Sequence, residues 1–249
     1  MADFNNYQNR MTQTRAQAGV DIDQGLRSYM LKVYNLMALG LAITGLAAFF
    51  TFNMAVSGGQ LTGFGQALYA SPLKWVVMLA PVGLVFFMSF KISSMSVSAA
   101  QATFWVYAAL MGVSLSSIFL VFTGQSVVQT FFVTAASFGA LSLYGYTTRK
   151  DLSALGSFLI MGVFGLLIAS VVNIFLASSA LQFAISAIGV LVFAGLTAYD
   201  TQKIKEMYFD GDDAVVAGRK AIMGALTLYL DFINLFMFLL QFMGNRNND

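Results

Sequence analysis

Seven stretches of this chain run for about 20 residues nearly without charge, the length a helix needs to cross the ~30 Å hydrocarbon core of a bilayer. They fall at 33–53, 73–90, 102–122, 128–147, 155–177, 180–202 and 221–243. Inside lipid no water is available to backbone N–H and C=O groups, so a spanning segment must be a helix or a strand of a closed barrel. Barrel strands alternate apolar and polar residues; these stretches are apolar throughout. The sequence therefore predicts an all-α membrane protein with seven transmembrane helices. Composition agrees, with 58% hydrophobic and 10% charged residues against about 25% charged in a soluble domain.

The basic residues set the orientation. Arg10, Arg15, Arg27, Lys32, Lys91, Arg149, Lys150, Lys203, Lys205, Arg219 and Lys220 fall on one side of the seven spans, and only Lys74 and Arg246 fall on the other. Under the positive-inside rule the N-terminus is cytoplasmic and the C-terminus lies outside, in a cell or inner membrane. Six or eight spans would mix the two sides. Residues 1–30 are polar and lack the apolar region of a signal peptide; they read as a flexible cytoplasmic tail ahead of a membrane domain at 31–245. The connections near 123–126 and 177–179 are short enough to make tight helical hairpins. Tyr146–Leu152 (YTTRKDL) and Tyr199–Lys205 (YDTQKIK) echo one another, which interfacial tyrosines and the charge rule together explain.

Several chemistries are excluded. The chain has no cysteine and no histidine, so disulfides, thiolate sites, histidine metal sites and the commonest pH switch are absent. The loop at 203–220 holds Glu206, Asp210, Asp212 and Asp213, but not the spacing of an EF-hand; it reads as a solvated acidic turn. No cofactor is expected, and nucleic acid is not among the expected partners.

Two aspartates stand out against this background. Asp200 lies in the sixth span and Asp231 in the seventh. An acidic side chain in the middle of a spanning helix costs about 2.5–3.5 kcal/mol on insertion scales, so one that is kept is a functional candidate. Helical steps of three and four through Asp231 pick out Gly224, Thr227, Asn234, Phe238 and Gln241; through Asp200 they pick out Gln182, Ser186, Gly189, Phe193 and Leu196 or Thr197. Each helix thus carries a small and polar stripe along one face. Hydrogen-bonded glue between helices is the competing reading of such stripes. Asp231 lies 11 residues past Lys220, or ~16 Å along the axis; Asp200 is one turn from Lys203. The two meet only if the seventh helix begins below the membrane surface, which the polar run Asp212–Arg219 permits. Two carboxyls in contact in a low-dielectric site cannot both ionise cheaply, and their titration belongs to the pair. Such a pair senses pH without histidine, and when doubly ionised it attracts a cation such as calcium. Thr227 and Asn234, with Tyr199 and Thr201 beside Asp200, are candidate hydrogen-bond partners or lining of an ion path. Pro81 interrupts the second span and marks a candidate moving part.

Leu143–Leu152 (LYGYTTRKDL), Gly195–Lys203 (GLTAYDTQK) and Leu226–Phe236 (LTLYLDFINLF) resemble the Bax inhibitor-1 family, also called the transmembrane Bax-inhibitor-motif family, in its bacterial inner-membrane branch. The resemblance implies a bundle whose last helix is central and wrapped by the first six. It also implies a pH-sensitive calcium leak, with Asp200 and Asp231 as the sensor and transient calcium ligands, and with movement of the second helix opening the path. Some members latch an aspartate with an arginine on that helix. This chain has none there, and Lys91 is the candidate replacement. Other bacterial relatives modulate a membrane-bound protease, so a regulator or scaffold for other membrane proteins is the alternative function.

An enzyme is not expected. An intramembrane aspartyl protease would match Tyr199-Asp200, but the second motif should read G-x-G-D where this chain has Tyr229-Leu230-Asp231, and the Pro-Ala-Leu segment is missing. A retinal protein needs a lysine in the seventh span, which has none. A proton-coupled transporter remains an alternative, since carboxylates at mid-depth also serve proton relays, although the spans show no discontinuous half-helices of the transporter kind.

Overall fold

The computed structural model describes residues 2–247, with side chains from Gln24 onward. Seven of the described helices are long and apolar enough to cross a membrane. They are α1 (Ala2–Ala55), α2 (Leu73–Lys91), α3 (Val97–Leu115), α4 (Gly124–Thr147), α5 (Ser153–Leu176), α6 (Ser179–Glu206) and α7 (Ala214–Met243). The spans expected from hydropathy all fall within or against these helices, and two of the expected hairpins close in two residues each, Phe122–Thr123 and Ala177–Ser178.

Side-chain caps fix most of the starts. Ser96, Thr123 and Ser178 accept hydrogen bonds from the amides three residues on, opening α3, α4 and α6. Asp213 Oδ1 accepts from Val215 and Val216 N at 2.9 and 2.7 Å and opens α7. These oxygens satisfy amides that a helix start leaves without intrahelical partners. The α5–α6 turn passes through Ala177 in the left-handed region, at φ +48°.

Three features differ from the sequence expectation. The polar N-terminal segment, expected as a flexible tail, has a backbone that is helical from Ala2 and continuous with the first span. Its Gln, Arg and Ala residues favour helix, and no proline interrupts them. The third span is broken after Leu115. Ser116 turns its hydroxyl back on Val113 O at 2.6 Å, and a single turn, Ile118–Val121, completes the crossing. Such back-bonding offers the backbone an alternative to the helical ladder. Tyr69, from the segment before α2, hydrogen-bonds the buried Ser116 hydroxyl at 2.8 Å.

The third difference concerns the last helix. In the most apolar stretch of α7, 61% of residues are buried, against 11% in α2 and 17% in α5. Its principal neighbours are α1, α3, α4 and α6, whereas α2 packs chiefly on α3, and α5 on α6. The last helix is therefore the most interior, but its main packing partners are four of the other six helices. Where α4 meets α6 the backbones come so close that a Cβ at Gly145 would strike the Ala198 carbonyl, the small-residue packing that membrane helices use in place of a hydrophobic driving force.

The α6–α7 loop sets the level of the site. Lys220 of α7 donates to Met207 O at 3.0 Å and pairs with Asp212 at 2.5 Å, while Arg219 Nε donates to Met95 O at 2.7 Å. The first turns of α7 thus project beyond the end of α6. At the opposite end, the backbones of Asn245 and Asn247 pair with those of Thr123 and Val121, holding the segment after α7 against the α3–α4 turn.

Candidate functional site

The four residues Tyr199-Asp200-Thr201-Gln202 sit on one turn of α6, and each faces a different neighbour because successive side chains on a helix are rotated by roughly a quarter turn. Tyr199 packs its ring on Gly156 of α5, with Lys203 Nζ 5.8 Å from the ring centre. Asp200 faces α7. Thr201 faces α4 and α1. Gln202 closes the α4–α5 loop: its Nε2 donates to Lys150 O at 2.8 Å, and its Oε1 accepts from Leu152 N at 2.9 Å. The motif is the point where five helices are tied together.

The projection of α7 beyond α6 brings Asp231 level with Asp200. Their carboxyl groups lie within hydrogen-bonding reach of each other. Asp231 is 5% exposed, and no hydrogen-bond donor among the described residues reaches its Oδ2. An ionised carboxylate can only accept, so a hydrogen bond between the two requires a proton on one of them. Lys203 lies one turn along α6 from Asp200 and acts on its carboxyl. Among the described residues no lysine or arginine forms an ion pair with either carboxyl; the ion pair present is Lys220–Asp212, in the loop.

Behind Asp200 a chain of hydroxyls crosses the bundle. Tyr34 of α1 lies 2.7 Å from Ser142 of α4, and Ser142 lies 2.8 Å from Thr201. Thr201 spends its own proton on Thr197 O at 2.7 Å. Ser142 must therefore donate to Thr201, and Tyr34 to Ser142, so the chain has one direction. Tyr34 and Ser142 also line a cavity of about 550 Å³ between α1 and α4.

The two polar stripes read from the sequence meet along the α6–α7 seam. Asp200 faces Asp231, Phe193 stacks on Phe238, and Gln182 Nε2 donates to Gln241 Oε1 at 2.7 Å. The other sequence candidates fall differently. Thr227 and Asn234 flank Asp231 but donate to their own helix, to Met223 O at 3.1 Å and Leu230 O at 2.8 Å. The expected bonds from them to the pair are not formed, because each backbone carbonyl lies one turn back and within easy reach. Tyr199 faces away from the pair towards α5. Thr201 belongs to the hydroxyl chain and does not touch the carboxyls. Lys91 is exposed at the end of α2 and makes no latch to either aspartate; α2 packs on α3, outside the helices that hold the pair.

Sequence reasoning missed Tyr34, Ser142 and the bridging role of Gln202. Ser142 precedes the LYGYTTRKDL segment by one residue, and Gln202 completes YDTQ, so the signal lay in those segments. No group of three metal-ligating side chains occurs among the described residues. Two carboxylates fall short of the about 6–8 oxygens calcium takes.

A family model described as inhibitor of apoptosis-promoting Bax1 matches residues 26–248. An uncharacterized protein of Rickettsia prowazekii, RP147, is 50% identical over 241 residues, covering 95% of this chain and 98% of that protein. An uncharacterized protein of Caulobacter vibrioides is 47% identical, covering 92% of this chain and 93% of that one. The inner membrane protein YbhL of Escherichia coli is 45% identical over 234 residues, covering 93% and 97%. With seven spanning helices, a tyrosine–aspartate hub on the sixth and a facing aspartate on the seventh, this chain is a multi-pass membrane protein that belongs to the Bax inhibitor-1 family.

Proposed function

We propose that this protein is a pH-sensitive cation leak of an inner membrane, with calcium as its cargo and the Asp200–Asp231 pair as its gate. One observation carries the reading: two carboxyls from adjacent helices face each other in a buried site, within hydrogen-bonding reach. With one proton between them they form a charge-assisted O–H···O⁻ bond, about twice as strong as a neutral one, which clasps α6 to α7. A second proton replaces that bond with a weaker neutral one. Acidification therefore loosens the seam and favours the open form. When both protons leave, the paired charges attract a cation at the same place. The basic end of the bundle faces the cytoplasm in this reading, as in the positive-inside rule.

The test is calcium flux into vesicles carrying the purified protein, measured against pH. The parent is expected to pass calcium faster as pH falls, and Asp231→Asn to lose that dependence. A parent without calcium flux at any pH ends the leak reading.

A further inference from the structure

Outward from the aspartate pair, the α6–α7 seam changes character in two steps. About 10 Å along α6, counted at ~1.5 Å per residue, Phe193 and Phe238 stack with ring centres 5.6 Å apart and planes at 23°. Phe193 is buried. Gly189, one turn further, leaves the room Phe238 needs, since a Cβ there would collide with the ring. Beyond the rings the seam becomes polar. Asn173 of α5 donates to Gln182 at 3.1 Å, Gln182 donates to Gln241 at 2.7 Å, and Ser186 also reaches Gln241. Asn173 Oδ1 accepts from Ser178 N at 3.0 Å, which ties this bridge to the α5–α6 turn. The seam is thus polar at its outer mouth, aromatic in the middle and acidic at its inner end. Level with the pair, Tyr229 of α7 packs against Phe104 and Tyr107, and its hydroxyl meets that of Thr44 at 2.6 Å.

We infer that the stacked Phe193 and Phe238 rings are the outer seal of the ion route, closing the seam between the aspartate pair and the end of the bundle that carries the C-terminus. The inference rests on the leak reading above and adds the second barrier that reading needs. A ring stack offers no oxygen to replace the water around a cation, and hydrophobic constrictions close pores by excluding water. The amide bridge holds the outer ends of α5, α6 and α7 together above the rings. Closed in this way, the pair exchanges protons with the basic end of the bundle and not with the outer one.

The chain has no cysteine, so Asn234→Cys supplies a single thiol between Asp231 and Phe238. In sealed vesicles of known orientation, a membrane-impermeant maleimide is added on the side of the C-terminus. With both phenylalanines present the thiol is expected to stay unlabelled. In the Phe193→Ala/Phe238→Ala background it is expected to react faster by at least tenfold, an effect equal to about 1.4 kcal/mol of lost barrier. Elution profile and thermal midpoint check that the variants are assembled, and Phe238→Ala alone serves if the double variant is not. Phe238→Leu, which keeps an apolar plug, is expected to remain unlabelled. Equal labelling with and without the rings overturns the seal. Calcium flux measured on the same vesicles separates the two claims. Labelling that opens without the rings, in a protein that passes no calcium, leaves the seal standing and removes the leak. A pH-dependent flux with ring-independent labelling does the reverse.

Discussion

On the proposed reading, replacing either member of the pair by an amide removes a proton shared by the two carboxyls. In the proposed closed form one proton lies between Asp200 and Asp231, and opening by acid adds a second. A single proton taken up changes the free-energy gap between two forms by 2.303RT per pH unit, about 1.4 kcal/mol, or tenfold in their ratio. The open form holds more protons, so lowering the pH favours it. Calcium flux through the parent should therefore rise by at most about tenfold for each pH unit, and level off once the second proton is bound. In Asp231→Asn or Asp200→Asn the amide N–H donates permanently to the remaining carboxylate. A hydrogen bond to a charged group, about 1.5–3 kcal/mol, is then kept, and the thermal midpoint should barely move while the flux becomes flat near neutral pH. The assay is the initial rate of calcium entry into dye-loaded vesicles across a pH series. A parent slope steeper than tenfold per unit means more than one proton controls the gate. A slope retained in both amide variants places the sensor elsewhere. Either result refutes the reasoning.

Two further outcomes test the supports of the site. Gln202→Leu deletes both bonds to the α4–α5 loop and strands the buried Leu152 N–H; a loss of about 1–3 kcal/mol is expected, read as a lower thermal midpoint in detergent with the pH response of the flux retained. Ala177→Gly should stabilise the fold: the left-handed conformation costs an alanine about 1–2 kcal/mol, which exceeds the about 0.4–1 kcal/mol of added chain entropy a glycine brings, and a lower midpoint in this variant would contradict the strained turn.

The spans were legible because lipid leaves so few solutions to backbone hydrogen bonding. The facing of Asp200 and Asp231 was legible in part. The helical period sorts both polar stripes onto single faces, and the structure brings those faces together from Gln182/Gln241 to Asp200/Asp231. What the period could not give was the level at which they meet, since that depends on how far α7 projects past α6 and on the pairing of Lys220 with Asp212. Hydropathy could not separate interior from peripheral helices. The peripheral α2 and the better-buried α6 have the same mean hydropathy, 2.0, and α5, at 2.5, lies on the outside. Lipid is itself an apolar solvent, so a helix facing it needs no polar face. The hydroxyl chain from Tyr34 to Thr201 was invisible for a different reason. Its members are separated by 108 and 59 residues, and serine and tyrosine are too common in such helices to be paired by inspection. The break at Ser116 turns on where one hydroxyl points, and the same residue type sits within intact helix at Ser142.

A proton held between the carboxyls would be observed directly. Infrared difference spectra recorded on acidification report the C=O stretch of a protonated carboxyl group. A shared proton gives a band in the parent near neutral pH that disappears in both Asp200→Asn and Asp231→Asn. A parent spectrum with no such band, or one that survives both substitutions, would show that the two aspartates hold no proton in common.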